Sequence, residues 1–232
     1  GETWKQPIRV ALTAPHGPIA LSDGRLLYFG KGALGELADT QQRNLDIGAM
    51  ESRDLGATWR PLGTVPLAPG TDQNNYHEPH VVEVGPDHLL GLIRVQNWDD
   101  DQQLERIGEM PFSMAQTIST DGGTTWTQAE LLGFHGSPPH LIRHSTGVLV
   151  GTYGYRKEPF GQRIMLSYDQ GDTWEHDLVL RDDGPDTDLG YPSSVELGDG
   201  SILSVYYQKN SSTDEKCSLL WSRWQLPDRI LS

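Results

Sequence analysis

One phrase recurs four times in this chain: a proline near the start, a short apolar run, a turn containing glycine, and a second apolar run. It reads GPIALSDGRLLYFG from Gly17, EPHVVEVGPDHLLGLIR from Glu78, PPHLIRHSTGVLVGTYGYR from Pro138 and GYPSSVELGDGSILSVYY from Gly190. Apolar runs rich in β-branched and aromatic residues, split by a cluster such as Gly198-Asp199-Gly200, form antiparallel hairpins. Pro18, Pro79, Pro139 and Pro192 fall 61, 60 and 53 residues apart, the spacing of a supersecondary unit. One such unit cannot bury its apolar faces alone, so a chain built from copies of it must stack them.

A second pattern alternates with the first. Ser52 to Trp59 (SRDLGATW), Ser119 to Trp126 (STDGGTTW) and Ser167 to Trp174 (SYDQGDTW) all fit S-x-D-x-G-x-T-W, and Gly1-Glu2-Thr3-Trp4 matches the tail of a fourth copy. This octapeptide resembles the Asp-box of the sialidase superfamily, and with the hairpins it covers nearly the whole chain. The resemblance implies an all-β fold, a β-propeller of the sialidase type, six-bladed when complete and with about four blades here. On this reading residues 1–232 are a single N-terminally truncated propeller domain, with blades near 16–67, 77–134, 136–181 and 188–226. Residues 5–12 are expected to be the outer strand of an upstream blade. Residues 68–76 read as a linker, and 97–112 as a long loop with a turn or two of helix inside 102–110. The last blade has neither an octapeptide nor a fourth strand.

Composition narrows the partners. A net charge of −14 argues against nucleic-acid backbones and anionic membranes, since like charge repels. No apolar run approaches the length of a membrane-crossing helix. Cys217 is the single cysteine, so no internal disulfide framework exists and cysteine usage does not fix the compartment. The family resemblance favours a secreted or periplasmic setting. His135, His140 and His144 lack a metal-ligand spacing. Asp99, Asp100 and Asp101 beside Trp98 read as a solvated loop before a Ca²⁺ site. No metal and no cofactor is expected.

Hairpin geometry then sorts residues by side. A hairpin returns the chain to the side it came from, so residues before its first strand and after its second share one face. His16 and Lys31, Glu78 and Arg94, His140 and Arg156, then Tyr191 and Gln208 fall on that face. The octapeptides follow the third strand and fall on the other, where they read as structural turns: Asp and Ser or Thr bond local backbone, Gly permits positive φ, and Trp packs between sheets.

The resemblance assigns roles on the first face. The stretch from Glu78 to Arg94 is similar to the one that carries, in sialidases, a catalytic Glu and the second arginine of a substrate-binding triad. Tyr191-Pro192-Ser193-Ser194-Val195 is similar to the stretch carrying the nucleophilic Tyr. Arg156 and Arg163 compete for the third arginine. Asp188 either orients the tyrosine or an arginine or caps a turn, and His16 and His140 either meet sugar hydroxyls or are structural. The first arginine and an acid/base Asp are expected in blades preceding this chain.

The residue types suit the chemistry. Sialic acid carries a carboxylate on its anomeric carbon, which repels a carboxylate nucleophile but not a neutral phenol. A tyrosine, with an ordinary pKa near 10, needs a base within hydrogen-bond reach, the part implied for Glu78. Arginine's planar fork matches a carboxylate. Two departures stand out: Tyr206-Tyr207-Gln208 replaces the usual Tyr-Glu pair, and Arg156 sits in Tyr155-Arg156-Lys157-Glu158-Pro159. The expectation is therefore a sialidase-like retaining exo-glycosidase acting on a glycan ending in sialic acid or a related acidic sugar. The alternatives are a sister hydrolase or lyase on rhamnose- or arabinose-containing glycans, or a non-catalytic glycan-binding propeller.

Overall fold

The structure, a computed structural model, describes residues 2–4, 6–34, 45–100 and 102–227. Gly1, Lys5 and Asp101, used in the readings above, lie outside them. Four antiparallel sheets follow one another in chain order as the blades of a propeller. The first holds β1 (Leu12–Thr13), β2 (Ile19–Ala20), β3 (Leu26–Gly32), β4 (Asp46–Ser52) and β5 (Arg60–Thr64). The second holds β6 (Tyr76–Gly85), β7 (His88–Val95), β8 (Ser113–Ser119) and β9 (Glu130–Leu131). The third is β10 (Pro139–Arg143), β11 (Leu149–Tyr155), β12 (Gly161–Ser167) and β13 (Glu175–Arg181), and the last β14 (Gly190–Glu196), β15 (Ile202–Gln208) and β16 (Ser218–Trp224). A short helix, α1 (Gln103–Arg106), interrupts the 97–112 loop.

Two expectations need correcting. Residues 6–10 form no strand, and Leu12 belongs to the first blade itself: β1 and β2 both pair with β3, so the innermost strand of that blade is broken in two. The stretch 68–76 is not all linker either, because Asp72 caps a 3-10 turn over Gln73–Asn75 and the buried Tyr76 opens β6.

Period-2 alternation explains where the core lies. Along β7, Leu89 and Ile93 pack against Leu27, Phe29 and Ile47 of the first blade. Leu90 and Leu92 turn the other way, onto Leu141, Leu149 and Met165 of the third. A third cluster joins Val150, Ile164 and Leu166 to Ile202 and Trp224 of the last blade. A strand with a blade on either side is therefore buried on both faces, which is why β7 reads as a continuous apolar run. The far face of the last sheet differs: Val195, Leu219 and Trp221 are exposed there.

Polar contacts repeat between blades as regularly as apolar ones. Ser22, in the β2–β3 turn, donates its N–H and hydroxyl to the two oxygens of Glu83 on β6, at 2.7 and 2.9 Å. Ser145 does the same to Glu196 on β14, at 2.7 and 2.5 Å.

Register fixes the two faces. Arg94 stands opposite His77 on β6 and Met114 on β8, whereas Leu89, at the other end of β7, stands opposite Ser119. The segments beginning at Ser52, Ser119 and Ser167 thus turn on the face away from Glu78. All three make one network: the serine hydroxyl donates to the Asp Oδ1 at 2.8, 2.9 and 2.8 Å, and the Asp accepts from the N–H and hydroxyl of the Thr four residues on. Trp59 and Trp126 each donate to the carbonyl of their own Gly at 3.1 Å. Trp174 instead donates to Gln116 of the preceding blade, whose amide donates to Gly171 O, so this copy also ties two blades together.

Candidate active site

Glu78 and Tyr191 occupy equivalent places in two different blades. On β6 the pairing passes from His77–Arg94 to His80–Leu92, so Glu78 and Pro79 together face one residue of β7. On β14 it passes from Gly190–Tyr207 to Ser193–Val205, leaving Tyr191 and Pro192 opposite one residue of β15. Each is a β-bulge, which re-aims a side chain, and each places a proline where the ladder makes no demand for an N–H. Glu78 and Tyr191 adopt φ of +45° and +49°, a region costly for residues with a Cβ. Gly154 eases the approach of the last blade, since a Cβ there would stand 3.0 Å from the Cα of Gly190.

The bulges bring the two side chains together. The Tyr191 hydroxyl donates to Glu78 Oε1 at 2.5 Å. Arg94 donates through Nη1 to Glu78 Oε2 at 2.5 Å and to the Tyr191 oxygen at 3.3 Å, and through Nη2 to Gln96 Oε1 at 2.6 Å. Burial, reinforced by donation to Glu78, raises the Tyr191 pKa above its ordinary value, so at neutral pH it is a protonated donor. The Tyr207 ring stacks 6.0 Å from Tyr191, and burial pushes its hydroxyl up to about 12.

The arginines fall into different situations. Arg94 is 1% exposed, its guanidinium lying 4.8 Å from the Trp98 ring centre and 5.0 Å from that of Phe112. Arg156 donates Nε and Nη2 to the Leu189 carbonyl at 3.2 and 2.9 Å, and its guanidinium also lies 5.0 Å from the Phe112 ring centre. Burial first, then the nearby Arg94 charge, lowers its pKa. Arg163 is not brought to the pair: it donates to the carbonyls of Pro159, Gln162 and Arg181 and packs on Tyr155, fastening the 156–160 loop. Asp188 lies beside Tyr207 and contacts the Cys217 thiol at 3.4 Å, rather than bracing Tyr191.

The histidines form a stack beneath the site. His80 and His140 lie 4.3 Å apart and nearly parallel, with His16 edge-on at 5.1 and 4.7 Å. His80 Nδ1 accepts the Leu141 N–H and His140 Nδ1 accepts the Ser194 N–H, each from the next blade. Burial holds His140 down at about 3, His16 at about 4 and His80 well below the usual range, so all three are neutral near pH 7. His140 therefore fastens the third blade to the last. The described residues contain no group of three or more His, Cys, Asp or Glu arranged to hold a metal. Asp100 pairs with Arg106, and Asn97 accepts the N–H groups of Asp99 and Asp100, closing that loop on itself.

Gln96, Trp98, Phe112, His80 and Tyr207 were not singled out by sequence for the site. Gln96 was within reach, being two residues past Arg94 and so on the same side of an extended chain. Trp98 and Phe112 bracket a loop whose path no local pattern specifies.

The fold is a β-propeller of the kind found in sialidases, and a tyrosine–carboxylate–arginine cluster joins two of its blades. No family model matches the chain, and no curated protein matches it. Solved structures do. A Dyadobacter fermentans protein of unknown function shares 24% identity at a TM-score of 0.74, covering 93% of this chain and 54% of its own. The Hadza microbial sialidase Hz136 shares 15% at 0.62, covering 90% and 45%. The GH93 α-L-arabinofuranosidase of Fusarium graminearum shares 17% at 0.63, covering 96% and 66%. This chain spans about half the length of the first two.

Proposed function

We propose that this propeller carries the reacting pair of a retaining exo-glycosidase, with Tyr191 as nucleophile and Glu78 as its base, acting on a glycan ending in sialic acid or a related acidic sugar. The observation that carries the reading is the 2.5 Å contact between the Tyr191 hydroxyl and Glu78, made by two strained bulge residues from separate blades. Strain of that kind persists only where the surroundings over-determine it, and two matched instances meeting at one point are expected of a working site.

In the reaction Glu78 takes the phenolic proton as the Tyr191 oxygen bonds to the anomeric carbon. The bond to the leaving oxygen breaks, and that oxygen takes a proton from a separate acid. Water then attacks the anomeric carbon and gives its proton to the conjugate base of that acid, while Glu78 returns the proton it took to the departing Tyr191 oxygen. Arg94 holds Glu78 in place throughout and stabilises negative charge as it develops on the phenolic oxygen, 3.3 Å from its Nη1.

Tyr191→Phe is expected to remove most turnover while leaving the denaturation midpoint nearly unchanged. Incubation with an activated fluorosugar should leave a covalent adduct on Tyr191, located by peptide mass spectrometry. Full activity of the phenylalanine variant, or an adduct on Glu78 instead, would sink the assignment.

A further inference from the structure

If the sugar is acidic, some cation must receive its carboxylate, and Arg94 is poorly placed to do so. Its Nη1 is committed to Glu78 and Tyr191 and its Nη2 to Gln96, with Trp98 and Phe112 against its faces and 1% of its surface exposed. A carboxylate-binding arginine offers two parallel N–H groups to an open space. Arg156 keeps its outer edge, but its inner fork holds the Leu189 carbonyl.

A different cation lines the open space beside the pair. A cleft of about 350 Å³ runs between the first two blades, bounded by Thr13, Ala14, Pro15, Lys31, His77 and Glu78. Lys31, opposite Thr13 on β3, donates to the Gln73 carbonyl at 2.9 Å and lies 3.4 Å from His77 Nδ1. His77 Nε2 meets two carbonyls, Asn74 O at 2.8 Å and Gln96 O at 2.9 Å, so that nitrogen carries the ring proton and Nδ1 is an acceptor. Two of the three ammonium hydrogens are thus fixed on neutral acceptors, which aims the third. Among the described residues Lys31 has no carboxylate in ion-pair contact, whereas the one carboxylate lining the cleft, Glu78, is already paired with Arg94. A half-buried ammonium held by two neutral groups, with no carboxylate in ion-pair contact among the described residues and the Asp72 charge acting on it only from further off, can receive an anion.

We infer that Lys31 receives the negatively charged group of the sugar in this cleft and is the residue that makes the site select an acidic sugar. The inference rests on Tyr191 and Glu78 being the reacting pair, because it places the sugar against Glu78. The ammonium contributes a single charge-assisted hydrogen bond as a point charge, so selection follows the charge of the ligand more than its planar shape.

The test uses aryl glycosides of sialic acid, a 3-deoxy-ulosonic acid and glucuronic acid, each paired with its methyl ester, and the matching non-hydrolysable S-glycosides for titration binding. The protein is expected to favour one acid over its ester by 10–100-fold in kcat/KM, the size of one charge-assisted bond. Lys31→Met should erase that preference by slowing the acid alone, and Lys31→Arg should restore part of it. Tyr191→Phe should lose turnover yet keep the Lys31-dependent preference in binding. A preference that survives Lys31→Met, or equal losses on acid and ester, overturns the inference and leaves the reaction reading standing. Lys31-dependent binding of an acid S-glycoside with no turnover of any substrate sinks the reaction reading and keeps this one. Indifference to acid and ester, with the neutral ester hydrolysed as fast, or failure to bind any of the panel, overturns it as well.

Discussion

Breaking the contact between Arg94 and Glu78 should cost more than either residue's packing suggests, and the cost should vanish largely when both are replaced. Arg94→Met keeps the length of the stem and removes the charge. It deletes a charge-assisted bond to Glu78, worth about 1.5–3 kcal/mol, a bond to Gln96 worth about 1, and ring contacts with Trp98 and Phe112 worth about 0.5–1 each. Against these stands the cost of holding a guanidinium out of water, on the order of several kcal/mol, which the methionine no longer bears. Glu78 retains 28% side-chain exposure, so water compensates part of its orphaned charge. The net expectation is a loss of about 2–3 kcal/mol. Glu78→Gln in the wild-type background leaves the buried guanidinium without a counter-charge, whereas in the Arg94→Met background it removes a carboxylate that has lost its partner. The two changes should therefore couple by about 1.5–3 kcal/mol in a double-mutant cycle. Urea titration of the four proteins, with the slopes checked for constancy, reads this directly. Additivity within about 0.5 kcal/mol would refute the claim that Arg94 is the structural counter-ion of Glu78.

Two further outcomes follow from the same contacts. The stacked histidines have pKa values lower in the folded chain than in the unfolded one, so the unfolded state binds more protons between the two and stability is full above about pH 6.5 and falls as pH drops. At pH 5, where most carboxylates are still ionised, His140 should have cost about 2 kcal/mol, with His80 acting in the same direction, and His140→Asn, which keeps an acceptor for the Ser194 N–H, should flatten the denaturant-midpoint curve between pH 7 and 5. A curve unchanged by that substitution would contradict the assignment. Gly171→Ala puts a Cβ 2.0 Å from Leu90 Cδ1 at φ +99°, whereas Gly147→Ala, at φ +92°, meets nothing within 4 Å; the first should lower stability by about 1–3 kcal/mol more than the second, measured as a difference in thermal midpoint.

The hairpins, the octapeptide turns and the division of residues between two faces were legible without coordinates, for one physical reason. Each depends on interactions within about ten residues: strand alternation, turn chemistry at Gly198-Asp199-Gly200, and Ser, Asp and Thr bonding their own backbone at 52–58, 119–125 and 167–173. The sequence by itself also put Glu78 and Tyr191 at matching points of two repeats, because each precedes a proline at the same place in its hairpin. Tertiary structure alone decided what those side chains meet. Arg163 and Arg156 are two arginines near one strand end, and only the course of the 156–160 loop turned the first onto carbonyls and the second toward Phe112. Arg94 read as an open fork until the 97–112 loop laid Trp98 and Phe112 across it. Lys31 read as one more charged strand end until the 3-10 turn at Gln73–Asn75 gave it neutral partners and the gap between blades gave it a cleft. Those outcomes depend on how separate sheets approach one another and how a long loop crosses between them. The contacts of Glu78 with Arg94 and Tyr191 join residues 16 and 113 positions apart, over distances where local propensity specifies nothing.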